Sequence, residues 1–133
     1  MGVYRGIAED GVVINSGVAT LQTLTLTDGL DLPSGTVAAA GTTQGTAAAA
    51  LRGFNVVTGA TGTNGVVLPA AVPGRVVIIK NTAAAAALLV YPPVGGQINA
   101  LAANAAFSMG NLTAVTLVAS SATQWFSVPL VAS

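Results

Sequence analysis

Few side chains in this sequence have the chemistry to move a proton, attack a carbon or hold a metal. Its 133 residues include no cysteine and no histidine. That removes thiol and disulfide chemistry, the commonest general base and the commonest transition-metal ligand. The carboxylates are Glu9, Asp10, Asp28 and Asp31, so none lies beyond position 31. From Leu32 onward only Lys80 and Tyr91 ordinarily titrate. Lys80 ends an apolar run, just before Asn81, where a lysine lays its stem along apolar surface and keeps its ammonium in water. Asp28-Gly29-Leu30-Asp31 places two carboxylates near one another, but calcium takes six to eight oxygens, and a turn with two solvated acids accounts for the same residues. Gly41 and Gly45 give a G-x-x-x-G spacing outside any apolar helix. No glycine-rich stretch has phosphate-loop spacing followed by a lysine and a hydroxyl. Tyr4, Tyr91 and Trp125 are of the types that stack on sugars, although a lone tryptophan on a strand serves equally as core or interface. The expectation is a protein that is not an enzyme, with no metal, cofactor or small-molecule substrate.

Composition narrows the partners. Charged residues make up 6% of the chain, against about 25% in an average soluble domain. Zero net charge and so few charges favour association. The balance is uneven along the chain. With Arg5, the four acids give the first 31 residues a charge of −3, whereas Arg52, Arg75 and Lys80 give the remainder +3. Three scattered cations are no nucleic-acid footprint, which needs clustered lysine and arginine. The longest uninterrupted apolar run, residues 83–91, ends at Pro92-Pro93 and falls short of the roughly 20 residues needed to cross a bilayer. No basic region followed by an apolar core opens the chain, so no signal peptide is expected.

The elements that must position these residues centre on residues 65–91. Runs at 66–68, 75–80 and 88–91 are β-branched or aliphatic, and Pro69, Pro73-Gly74, Asn81 and Pro92-Pro93 close them. Consecutive strands separated by turns have this pattern. The middle run is apolar on both parities, Val76 and Ile78 on one face, Val77 and Ile79 on the other. A strand with two dry faces is covered twice, here by its own core and by another copy of the chain. Further strands are predicted at 12–14, 18–27, 51–57, 97–99, 106–109, 112–119 and 123–128, the last with Trp125 and Phe126 on opposite faces. Residues 36–50 read as extended chain with small side chains, or as a linker. Residues 100–106 read as a helical turn or a loop. The alanine run 83–87 reads as a hairpin connection. Short strands at about 8–12-residue spacing predict an all-β fold, a single β-sandwich or barrel-like (jelly-roll-like) body at 36–133. Residues 1–35 form an extended N-terminal arm, whose backbone is expected to find partners by β-augmentation.

One series of residues resembles a known family. Gly65-Val66-x-Leu68-Pro69 is followed by Pro73-Gly74-x-x-Val77-x-Ile79-x-Asn81, Val90-Tyr91-Pro92, Gly96-x-Ile98-Asn99 after Gly95, and Trp125 near the end, with Ala39-Ala40-Gly41-Thr42-Thr43-Gln44 upstream. Over roughly residues 38–128 this is similar to a module of tailed-bacteriophage structural proteins, the capsid decoration (cement) and head-fibre proteins. The resemblance implies an all-β homotrimer on the outer capsid surface, made in the bacterial host cytoplasm and bound to the major capsid protein. It carries over no catalytic residue. On this reading Val76, Val77, Ile78, Ile79, Tyr91 and Trp125 lie in the core or the oligomer interface. Tyr4, Arg5, Glu9, Asp10, Asp28 and Asp31 mark a capsid-contacting arm. The alternative is a receptor- or glycan-binding module of a head fibre or tail.

Overall fold

The β-branched and aliphatic runs become strands, and the proline, glycine and asparagine residues between them become corners. The computed structural model describes residues 29–129, and the described residues are all-β, without a helix. The strands are β1 (Ser34–Ala38), β2 (Ala48–Ala49), β3 (Phe54–Thr58), β4 (Gly65–Val67), β5 (Val76–Asn81), β6 (Leu88–Tyr91), β7 (Gln97–Ile98), β8 (Phe107–Met109), β9 (Ala114–Ala119) and β10 (Gln124–Val128). Chain contacts divide the protein into Met1–Leu30 and Asp31–Ser133. The first strand of the second unit begins at Ser34, inside the segment expected as arm. The predicted strands at 12–14 and 18–27 lie outside the described residues. Residues 36–50 are not a linker: they contain the end of β1, a bridge from Ala40 to Gly65, a turn and β2.

From β1 to β9, successive strands alternate between two sheets. One is ordered β1-β3-β5-β9-β10-β7 and the other β2-β4-β6-β8. Within the first, β1, β3 and β5 are parallel, in the register Ser34↔Phe54 and Phe54↔Ile78. Within the second, β2, β4 and β6 are parallel, with Ala48↔Val66 and Val66↔Val90. Each pair of strands is thus one coil, and each coil advances one strand spacing. The result is a β-solenoid of three coils. The chain then reverses: β8 returns antiparallel on β6, β9 on β5 and β10 on β9, while β7 lies parallel to β10 at the edge.

This winding corrects the expected sandwich or barrel-like, jelly-roll-like arrangement. Those folds return each strand beside the one just left, whereas here the chain crosses to the facing sheet. Strand spacing is the same in both cases, so the corners decide. The 83–87 segment is such a corner, and the hairpin expected there does not form. Asn81, fully buried at the end of β5, holds it. Its Nδ2 donates to Ala86 O at 2.9 Å and Gly110 O at 3.0 Å, and its Oδ1 accepts from Ala83 N at 3.0 Å. Asn81→Ala leaves these backbone groups without their partner in a partly buried corner, and each unsatisfied buried group costs about 1–3 kcal/mol. We expect a loss of about 2–4 kcal/mol in denaturant unfolding. A loss below the range of surface substitutions would show that the corner does not depend on this side chain.

One core fills the space between the sheets. Val57, Val77, Ile79, Val115, Leu117 and Trp125 point in from the first sheet, and Val66, Leu88, Val90, Phe107 and Met109 from the second. Ala50, Ala60, Ala71 and Ala119 complete it as small spacers. Gly65 serves close approach on the outside of the second sheet. A Cβ there would stand 2.3 Å from Leu89 O and 3.0 Å from the Tyr91 ring.

Candidate interaction surface

The residues singled out by sequence separate into different environments. Val77 and Ile79 are 2% and 0% exposed and face the core, while Val76, on the opposite face of β5, is 42% exposed. Trp125 is fully buried in the core. Tyr91 lies on the outer face of the second sheet and is nevertheless 8% exposed, because the 42–46 turn covers it. Tyr91 Oη donates to Thr42 O at 3.1 Å, and Gln44 Nε2 donates to Pro92 O at 2.6 Å and Asn104 Oδ1 at 3.2 Å. Asp31 is exposed ahead of β1. Tyr4, Arg5, Glu9, Asp10 and Asp28 lie outside the described residues.

The second sheet thus carries its own cover, whereas among the described residues the outer face of the first is open. Cross-strand register arranges that face in rows. Phe54, Ile78, Thr116 and Val128 form one row, and Val76, Val118 and Phe126 the next. Phe126 is 40% and Val128 53% exposed. At the far end a third row holds Val56, Lys80 and Ala114. Lys80 is the charged residue of these rows, and its Nζ donates to Leu112 O, which turns the ammonium toward a backbone carbonyl at the rim. Exposed Leu51, Val72 and Leu112 stand in the loops leading into β3, β5 and β9. Four strands at about 4.8 Å spacing and about 17–20 Å length make a face of roughly 300 Å². A face of this size is comparable to the largest apolar patch of a typical monomer, which is often functional. Sequence parity exposed only part of it. The sequence reading set Phe126 opposite Trp125, but Phe54 and Val118 join the patch only through register.

Beside this face, the starts of β3 and β5 frame a cleft of about 250 Å³ lined by Leu51, Arg52, Gly53, Pro69, Arg75 and Val76, with Val77 behind. Buried Asn55 fixes the bend ahead of β3: its Oδ1 accepts from Arg52 N at 3.1 Å, and its Nδ2 donates to Arg52 O at 2.7 Å. Arg75 Nη1 donates to Ala70 O at 2.7 Å. Sequence reading noted both arginines as charges without bringing them together. They are 23 positions apart in sequence, and both line this cleft. The lining holds apolar side chains and two arginines, with no nucleophile or general base among them. No family model, curated protein or solved structure matches this chain.

Proposed function

We propose that the protein is a structural component of a tailed-phage virion, a decoration (cement) protein that sits as a homotrimer on the outer capsid surface and bridges neighbouring major capsid subunits. The observation that carries this reading is the open apolar face of the six-stranded sheet on a body almost free of charge. Such a face is suited to permanent association, since obligate interfaces are the more apolar ones. A closed three-fold ring hides it in every copy and leaves other surfaces free for the shell. Binding to the assembled shell but not to its loose subunits then adds stability by mass action. The resemblance noted above supports the same place in the virion. A glycan-binding module needs an aromatic platform, and burial of Trp125 and the cover over Tyr91 remove two of the three candidates.

The experiment is to mix the purified full chain with expanded capsids that lack it and to image the particles by cryo-microscopy. Trimeric density at fixed lattice positions, with a higher temperature of heat disruption, is the expected result. Particles that stay bare at saturating protein overturn the assignment. The arm is tested in the same assay. Every described strand begins beyond residue 33, so deleting residues 1–33 removes Tyr4, Arg5, Glu9, Asp10, Asp28 and Asp31 but no described strand, at the loss of the Pro33 carbonyl that accepts from Phe54 N at 3.0 Å. We expect decoration to be lost. Decoration equal to that of the full chain would assign attachment to the solenoid instead.

A further inference from the structure

We propose that Asn64 is a latent modification site, shielded in the folded chain by the corner it clasps and open to deamidation once that corner comes apart. Asn64-Gly65 is the one Asn-Gly pair among the seven asparagines. The chemistry needs no enzyme. The Gly65 amide nitrogen attacks Asn64 Cγ, the new C–N bond closes a succinimide, and the side-chain nitrogen leaves as ammonia. Water then opens the succinimide at either carbonyl, giving aspartate or isoaspartate. A side chain on the following residue hinders the attack, and glycine has none. Neither residue can be dispensed with by the fold. A Cβ at position 65 would stand 2.3 Å from Leu89 O and 3.0 Å from the Tyr91 ring. The Asn64 side chain ties the first coil to the second. Its Nδ2 donates to Ala39 O at 3.1 Å, just after β1, and to Gly59 O at 2.8 Å, just after β3, while its Oδ1 accepts from Thr61 N at 2.8 Å. A carboxamide supplies these donors and this acceptor at once, whereas an ionised aspartate supplies no donor.

The same contacts block the reaction in the folded chain. Ring closure requires Asn64 Cγ to swing onto the Gly65 nitrogen, and three hydrogen bonds hold the carboxamide in place. Gly65 is buried, and its N–H donates to Ala40 O at 3.2 Å. Attack therefore waits for the corner to open, and its rate follows the population of the open form. The product then keeps the corner open. Aspartate at this position sets a carboxylate against the Ala39 and Gly59 carbonyl oxygens that Nδ2 had served, and isoaspartate also inserts a methylene into the backbone just ahead of β4. A deamidated chain cannot rebuild the clasp, so the site records time spent unfolded. This holds irrespective of the virion assignment.

The test holds the full chain in mildly alkaline buffer, native in one arm and in guanidinium chloride above its unfolding transition in the other. Tandem mass spectrometry of the tryptic peptide 53–75 then locates the modification. We expect Asn64 to deamidate at least about tenfold faster in the denatured chain than in the native one. In the denatured chain it should also outpace Asn55 of the same peptide, which valine follows. Gly65→Ala, compared in denaturant only, should remove most of that reactivity. Asn64→Asp, which is the reaction product, should lower the urea midpoint by about 1 M or more at fixed protein concentration. The rate comparison uses the unsubstituted chain, so it stands even where Asn64→Asp does not fold. Equal rates in the native and denatured chains overturn the shielding. Deamidation spread evenly over Asn55 and Asn64 in denaturant overturns the site, and an unchanged midpoint for Asn64→Asp overturns the clasp.

Discussion

We expect Phe126→Asp to convert the proposed trimer to monomers without unfolding them. Phe126 projects from the open face of the six-stranded sheet and is 40% exposed, so a monomer solvates the new carboxylate, and an exposed substitution changes folding stability by about 0.5 kcal/mol or less. In the proposed trimer the same carboxylate would be buried against apolar neighbours. An unpaired buried charge costs several kcal/mol, and a symmetric oligomer repeats the cost in every copy. Association should weaken by about a thousandfold or more, since each 1.4 kcal/mol is a factor of ten. Val128→Asp, one strand position further along the same outward face, should act similarly. Val94→Asp is the control: Val94 is 85% exposed and lies outside the sheet. Light scattering should report trimer mass for the unsubstituted chain and for Val94→Asp, and monomer mass for the face variants. An unsubstituted chain that is already monomeric at micromolar concentration would sink both the interface and the trimer, and an unchanged mass for Phe126→Asp and Val128→Asp would remove this face from the interface.

Trp125→Ala should cost about 3–5 kcal/mol of folding stability, the range for truncating a large buried aromatic. Trp125 is 0% exposed, pairs across strands with Ala119 and Ile98, and reaches into the single core. Ala119, itself 1% exposed, is too small to fill the space left behind. Trp125→Phe separates two contributions. The indole Nε1 is buried with no hydrogen-bond partner among the described residues, and such a donor costs about 1–3 kcal/mol. Phenylalanine removes that donor along with part of the ring area, so the two changes offset and the net loss should be about 1–2 kcal/mol or less. Urea unfolding followed by circular dichroism checks both, at one protein concentration because association contributes to apparent stability. Trp125→Phe falling as far as Trp125→Ala would show that the indole N–H has a partner after all. Unchanged melting of Trp125→Ala would show that the ring is not part of the core.

What sequence alone determined about this protein is where strands are and which side chains it lacks. Leu88–Tyr91 stands where the apolar run and Pro92-Pro93 place it, and β4, β5, β8, β9 and β10 fall within or close to their predicted spans. Side-chain branching and turn residues act over a few positions, so they can be read locally. The absence of histidine, cysteine and late carboxylates is likewise a property of composition.

Winding was decided only in three dimensions, although a trace of it is present. Phe54 pairs with Ile78 and Val66 with Val90, both 24 residues apart, and at that offset Val66-Val67-Leu68-Pro69 corresponds to Val90-Tyr91-Pro92-Pro93. Two degenerate copies are a faint signal for a coil. Short β-branched strands suit an antiparallel return as well as a parallel crossing. The same holds for β5, which is apolar on both parities: nothing local tells Val76 and Ile78 from Val77 and Ile79. Val77 and Ile79 turn inward because Val57, Leu117 and Trp125 meet them there and exclude water together. Their outward neighbours, with Phe126 and the Arg52–Arg75 cleft, become surface by the same choice. Burial is a property of whole faces, and a face exists only once strands distant in sequence lie side by side.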